Sequence, residues 1–327
     1  MVSTMPTGSG DPSDFAAAFQ AVVDNVELVV RGKTEAVSLA LTCLFAGGHL
    51  LIEDVPGLGK TSLARCIAAS LEASCHRIQF TPDLLPSDVT GVTVYHQGTA
   101  QFGFHPGPVF AHVVVADEVN RASPKTQSAL LEVMEEGRVT VDGQPHAVPR
   151  PFFVVATQNP VDMDGTYALP EAQLDRFLMR VRMGYPDRES EVAILRNRQS
   201  GIRVEDLRPV LSTDEVLALV AQGARTHVAD TVHEYVVDVV AATRTMPRLR
   251  LGASPRGSIA LLRASQVRAA AAGRDFVTPD DVKALAVPVL AHRMLVAADA
   301  ELRGFTGEDA VGEVLGSVSV PRSLAGV

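Results

Sequence analysis

The chain is predicted to fold as a parallel α/β domain followed by a helical one, and three observations carry that prediction. The first is a pair of runs, Ala111-His112-Val113-Val114-Val115-Ala116 and Phe152-Phe153-Val154-Val155-Ala156-Thr157. Each is too short for a helix and apolar almost throughout, as expected of strands buried on both faces of a parallel sheet. The second is that such runs alternate with segments of helical periodicity, which implies right-handed crossovers between parallel strands. The third is that beyond Tyr185-Pro186 only helical periodicity remains.

Composition sets the frame. At 327 residues, with 46% hydrophobic and 20% charged, the chain has room for two globular domains. Its formal charge of −9 gives no global basic field, so nucleic-acid binding has no support from bulk electrostatics. Cys43, Cys66 and Cys75 lack metal-site spacing and are expected to be small buried thiols in a reducing compartment. Residues 1–12 are rich in Ser, Thr, Gly and Pro without the basic and apolar regions of a signal peptide, and are expected to form a flexible N-terminal tail. No apolar run is long enough for membrane insertion, so a cytoplasmic location is expected.

The elements follow in order. Phe15 to Val30 and Thr34 to Ala46 carry helical patterns, and the stretch Gly47–Ser62 reads as the first buried strand, a glycine-bearing turn and the first turn of a helix. A helix runs from Lys60 to Leu71 with Leu63, Ile67 and Leu71 on one face, and His76 to Phe80 is a short strand. Thr81 to Pro108 reads as an excursion from the core containing a hairpin, Thr93–Tyr95 against Gln101–Phe104. Ser123 caps a helix with Pro124 at its first position and Gly137 as its stop. Arg138 to Val148 forms a second hairpin around Asp142-Gly143. Pro170 opens a short helix through Phe177, and Leu178 to Met183 is the last strand. Helices are expected over Asp187–Gln199, Thr213–Ala224, Asp230–Thr245, Pro255–Ala272 and Pro279–Leu295, the last kinked at Pro288, while Gly304–Val327 is too irregular to assign.

Chemistry enters at the turn after the first strand. Asp54-Val55-Pro56-Gly57-Leu58-Gly59-Lys60-Thr61-Ser62 has the form of a phosphate-binding loop opening a helix. In such a loop backbone N–H groups and the helix N-terminus surround phosphate, the Lys ammonium reaches its oxygens, and the Thr hydroxyl holds Mg²⁺. Asp54 stands where the usual pattern has its first glycine. Downstream, the Val113–Ala116 strand ends in Asp117-Glu118. Asp117 is the expected Mg²⁺ partner, through a coordinated water, and Glu118 the expected base for the attacking water. Asn159 follows the next strand and so comes to the same sheet edge, where it can orient that water; the alternative is an Asx turn before Pro160.

Together these blocks resemble the MoxR family of AAA+ ATPases over nearly the whole chain. Gly48–Thr61, Ala116-Asp117-Glu118-Val119-Asn120-Arg121-Ala122, Lys125–Glu132, Ala156-Thr157-Gln158-Asn159-Pro160, Leu169–Phe177 and Ser254-Pro255-Arg256-Gly257 carry the likeness. The resemblance implies an AAA+ core over residues 13–186 with sheet order 5-1-4-3-2, an all-α lid over 187–327, and a homo-oligomeric ring, usually a hexamer. It makes residues 86–107 a helix-2 insert and 138–150 a pre-sensor hairpin. By the same resemblance Asn159 matches sensor 1. Arg176 matches an arginine finger reaching the neighbouring subunit's nucleotide, and Arg256 matches sensor 2. The plainer alternatives are an ion pair of Arg176 with Asp175 or Glu171, and a solvated Arg256. Val30-Arg31-Gly32-Lys33 stands where many AAA+ proteins have a Gly-Gln beside the adenine. No Asn-Lys-x-Asp guanine motif is present, and the family favours ATP.

The expectation is therefore a Mg²⁺-dependent ATPase with ATP and Mg²⁺ as cofactors. Its implied role is a chaperone-like motor on protein clients with a von Willebrand factor A domain partner. A chelatase-type metal-insertion motor, a nucleic-acid-remodelling ATPase and a catalytically silent scaffold remain as alternatives.

Overall fold

The computed structural model describes residues 12–55, 57–98, 100–159, 167–192 and 202–321. Helices α1 (Pro12–Glu27) and α2 (Thr34–Phe45) lead into strand β1 (Leu50–Glu53), helix α3 (Lys60–Ser70) and strand β2 (Cys75–Gln79). A short helix α4 (Pro86–Thr90) and an antiparallel hairpin, β3 (Gly91–His96) and β4 (Gln101–Pro106), precede β5 (Val113–Asp117) and α5 (Pro124–Glu136). A second hairpin, β6 (Arg138–Val141) with β7 (Gln144–Ala147), precedes β8 (Phe153–Gln158), α6 (Glu171–Leu174) and β9 (Met179–Val181).

Five strands form one sheet in the order β2-β5-β8-β1-β9, every neighbouring pair parallel. Counting only these five in chain order and reading from β9, this is 5-1-4-3-2, as expected. Period-two alternation divides the core. Leu50, Ile52, Val113, Val115, Phe153 and Val155 face α1–α3, while Leu51, Val114, Ala116, Val154 and Ala156 belong to a second cluster with Leu130 and Leu131 of α5. The first cluster continues into the helical region through Val239, Leu261, Leu285 and Val311, and Phe15 and Phe19 of α1 pack on Phe45 within it.

Local signals explain most boundaries. Ser123 accepts the Thr126 N–H at 3.4 Å to cap α5, and Gly137 stops it in a left-handed conformation at φ 64°. Ser212 and Glu215 form a reciprocal capping box on the Thr213–Gly223 helix, with Ser212 N–H donating to Glu215 at 2.7 Å.

The structure corrects several expectations. Helix Pro279–Leu290 ends earlier than its apolar pattern, because Pro288 cannot donate to the ladder and the chain tightens into a 3-10 turn at Ala291–Arg293. The segment left unassigned contains a helix, Gly307–Ser317, opened by Thr306 and Asp309 as a capping box. The region after Pro186 also contains a short antiparallel pair, Leu249–Leu251 with Leu295–Val296. Of the helix expected over 187–199, residues 188–192 are helical. Asp187 precedes the helix, and residues 193–199, the tail before residue 12, Pro56 and Pro160 lie outside the described residues.

Candidate active site

Because the sheet is parallel, its carboxyl ends share one edge, and the residues expected to act on phosphate gather there. Gly57 and Gly59 both have φ near 87°, a conformation that side chains rarely adopt, and open space lies where a Cβ would stand at each. Val55 and Leu58 are half-buried in the same loop, and Ser62 lies in the first turn of α3. The Lys60 ammonium donates to the Asp54 backbone carbonyl at 2.5 Å. Burial lowers the Lys60 pKa from its ordinary value, opposed by the carboxylates of Asp54, Asp117 and Glu118.

Asp54 is a fastening point. Its carboxylate accepts the Val55 N–H at 2.9 Å, the Met183 N–H at 2.9 Å and the Gly184 N–H at 2.7 Å. Lys33 donates to the carbonyls of the same Met183 and Gly184, each at 2.9 Å. Two opposite charges thus grip the chain where it leaves β9. Beside them lies a cavity of about 430 Å³ lined by Lys33, Thr34, Arg180, Met183 and Pro288.

Asp117 is 5% exposed and fully engaged. It accepts the Thr61 hydroxyl at 3.1 Å, the Thr157 hydroxyl at 3.0 Å and the Arg77 Nε at 2.5 Å. Glu118, just past the strand at φ 57°, donates its N–H to Thr157 Oγ1 at 3.0 Å and accepts Gln79 Nε2 and Arg121 Nη1, each at 3.1 Å. Asn159 follows β8 on the same edge, and its carbonyl accepts Asn120 Nδ2 at 3.5 Å. The facing oxygens of Thr61 and Asp117 suit Mg²⁺, a hard cation that takes few protein ligands and keeps water and phosphate oxygens as the rest. Among the described residues no three His, Cys, Asp or Glu side chains converge as a metal cage.

Arg176 and Arg256 lie elsewhere. Leu178, two residues after Arg176, donates its N–H to His49 O at 2.8 Å at the entrance to β1, so this segment sits at the amino edge of the sheet. Between the two edges runs β1, four residues or about 13 Å long. Arg176 pairs with Glu135 at 3.0 Å, and Arg256 pairs with the other oxygen of Glu135 at 2.5 Å. Neither Asp175 nor Glu171 is the partner of Arg176. Asp175 instead meets Arg293 Nε at 2.8 Å and the Ser254 hydroxyl at 2.9 Å. Buried Arg293 also donates to Phe177 O at 2.7 Å and Leu178 O at 3.1 Å, and Ser254 Oγ accepts the Arg256 N–H at 3.1 Å. Both arginine-bearing segments are thereby fastened to one carboxylate.

Sequence reasoning gave no role to Arg77, Gln79, Thr157, Glu135 or Arg293, and it offered Asp175 only as a partner for Arg176. For Gln79 a signal was present, since it is a polar residue near the end of the strand read over His76–Phe80, and the carboxyl ends of parallel strands meet at the site; the structure pairs it in register with Asp117. For Glu135 there was none.

The strand order and the phosphate loop after the first sheet strand place the chain among the AAA+ ATPases. A family model described as the ATPase family associated with various cellular activities (AAA) matches residues 49–179, and one described as an AAA lid domain matches 241–314. YeaC of Bacillus subtilis is 49% identical over 91% of this chain and 93% of its own length. Chaperone MoxR1 of Mycobacterium tuberculosis is 40% identical over 91% of this chain and 81% of its own. Protein MoxR of Methylorubrum extorquens is 30% identical over 92% of this chain and 94% of its own. The crystal structure of an ATPase from Cytophaga hutchinsonii superposes with a TM-score of 0.88, at 36% identity, covering 95% of this chain and 97% of that one. The chain belongs to the MoxR family, and it is an ATPase.

Proposed function

We propose that this ATPase works as a Mg²⁺-dependent, ring-forming remodeller of protein clients, in which each active site is assembled from two protomers. The observation that carries the reading is the separation of phosphate-facing residues and arginines to opposite edges of one sheet. A protomer whose arginines stand at the edge opposite its own phosphate loop is placed to offer them to a neighbour. Residues 13–186 then form the nucleotide-binding core and 187–327 the lid, in a head-to-tail ring expected to be a hexamer.

Within one site the roles follow from chemistry. When bound, ATP and Mg²⁺ supply the anhydride to be cleaved and the charge neutralisation its cleavage requires. Gly57 to Ser62 offer backbone N–H groups, Lys60 offers its ammonium, and Thr61 and Asp117 offer oxygens to the metal. The nucleoside belongs in the cavity beside Lys33. Glu118 accepts a proton at Oε2, the atom now held by Gln79 and Arg121, while Asn159 orients the attacking water. Arg176 and Arg256 of the neighbour neutralise developing charge.

Glu118→Gln is expected to abolish hydrolysis while leaving ATP binding intact, measured by steady-state turnover beside nucleotide titration. Turnover equal to that of the unaltered protein would show that Glu118 is not the base, and absence of turnover in both would favour the scaffold reading. An inactive Arg176→Ala/Arg256→Ala chain mixed with Glu118→Gln should regain turnover in shared rings. No recovery despite co-assembly would end the two-protomer site. Pull-down with ATP-loaded Glu118→Gln should capture clients and a von Willebrand factor A domain partner. Salt-sensitive stimulation of hydrolysis by DNA or RNA would favour nucleic-acid remodelling instead, and capture of porphyrin-chelating partners would favour metal insertion.

A further inference from the structure

We infer that Glu135 is a positioning residue for the two arginines, holding Arg176 and Arg256 as one unit for delivery to the neighbouring protomer. The inference rests on the two-protomer reading above. Its starting point is that the two oxygens of a single carboxylate each take a guanidinium, Arg176 at 3.0 Å and Arg256 at 2.5 Å, from segments that are far apart in sequence.

Three physical features support a positioning role. The first is repulsion: Arg176, Arg256, Arg263 and Arg293 all line one cavity of about 290 Å³. Asp175, the other acid there, is committed to Arg293 and Ser254, so Glu135 is what allows two guanidinium groups to converge. The second is entropy. The side chains of Arg176 and Arg256 are 30% and 53% exposed, and a long arginine free at a surface would have to be ordered anew at each catalytic event. The third is donor count. Each arginine meets Glu135 through Nη2, and a guanidinium carries five N–H donors, so the contact leaves donors to turn toward an incoming phosphate oxygen.

The position of Glu135 in the fold adds a connection. It lies in the last turn of α5, a helix of 13 residues or about 20 Å whose first turn follows Glu118 after a short 3-10 segment. Gln127 Nε2 donates to Val119 O and Ala122 O, each at 3.2 Å, and fastens the start of α5 to that segment. One rigid rod therefore joins the carboxylate a protomer uses on its own ATP to the carboxylate that holds the arginines it lends.

The test uses full-length chains in mixed rings. The acceptor carries Arg176→Ala and Arg256→Ala and can hydrolyse but lends no arginines. The donor carries Glu118→Gln and lends arginines but cannot hydrolyse, so turnover reports only borrowed arginines. Adding Glu135→Ala to the donor is expected to lower kcat by about 10–100-fold with KM for ATP little changed, as misplacement of catalytic groups does. Glu135→Gln, which keeps one acceptor oxygen, should fall between. Donor melting temperature and co-assembly, expected to be unchanged for so exposed a residue, separate this loss from misfolding. Donors with Glu135→Ala that are as active as donors retaining Glu135, or more active, overturn the inference and leave the two-protomer site standing. No turnover even with Glu135 intact overturns both.

Discussion

At the scale of single residues, the substitution at position 54 changes its meaning once the structure is known. A phosphate loop needs its glycines where backbone approaches phosphate, and Gly57 and Gly59 supply these. Position 54 lies at the strand exit, where a side chain has room to work. The Asp54 carboxylate uses that room to hold residues 129 and 130 positions further along the chain. Asp54→Gly is expected to destabilise the fold by about 2–4 kcal/mol, because charge-assisted hydrogen bonds are lost and a flexible residue is introduced. Chemical denaturation measures this. ATP affinity should change much less, since Lys60 contacts only the backbone carbonyl of residue 54; a loss of affinity with no loss of stability would show that the carboxylate acts on nucleotide.

Among the elements, the entrance of β1 has a pH dependence of its own. His49 is buried, accepts the Val154 N–H at Nδ1 (3.1 Å) and faces Met134 O with Nε2 (3.0 Å), joining β1, β8 and α5. Because an amide nitrogen can only donate, the neutral tautomer with its proton on Nε2 satisfies both contacts. Desolvation lowers its pKa to about 4, opposed by the Met134 carbonyl. The unfolded chain therefore binds a proton between about pH 6.5 and 4 that the folded chain refuses, so stability falls as pH drops through that window. His49 contributes about 3 kcal/mol of this fall. Denaturation midpoints at pH 7.5 and 4.5 should show a smaller difference in His49→Asn than in the unaltered chain. Buried His292, lowered by desolvation and by Arg293, keeps some slope in the variant.

Across the whole molecule, what could be read from sequence was whatever is encoded locally. The apolar run ending in Asp117-Glu118, the glycine turn before Lys60, and caps such as Ser123 and Ser212 state their structure within a few residues, while sheet order came only from the family resemblance that the motif blocks carry. The helix Gly307–Ser317 carried such a signal in Thr306 and Asp309 but lay in a segment of weak periodicity. The meeting of Glu135 with Arg256, 121 residues away, had none, since no spacing rule connects the end of α5 with the first turn of a later helix. Fastening contacts of this kind depend on the finished topology, and the Asp54 clamp and the Asp175–Arg293 pair share that property.

Under the proposed two-protomer site, with lending and receiving residues at opposite edges, catalysis is a collective property. An enzyme whose protomers each complete another's site has no competent monomer, so its rate per chain follows concentration as mass action assembles the ring. Specific activity should collapse on dilution, in step with dissociation followed by light scattering, and a constant rate per chain far below the assembly midpoint would contradict it. In a cell such a motor would behave as a threshold device: silent when scarce, switching on over a narrow range of abundance, and easily poisoned by a minority of chains that receive arginines but have none to give.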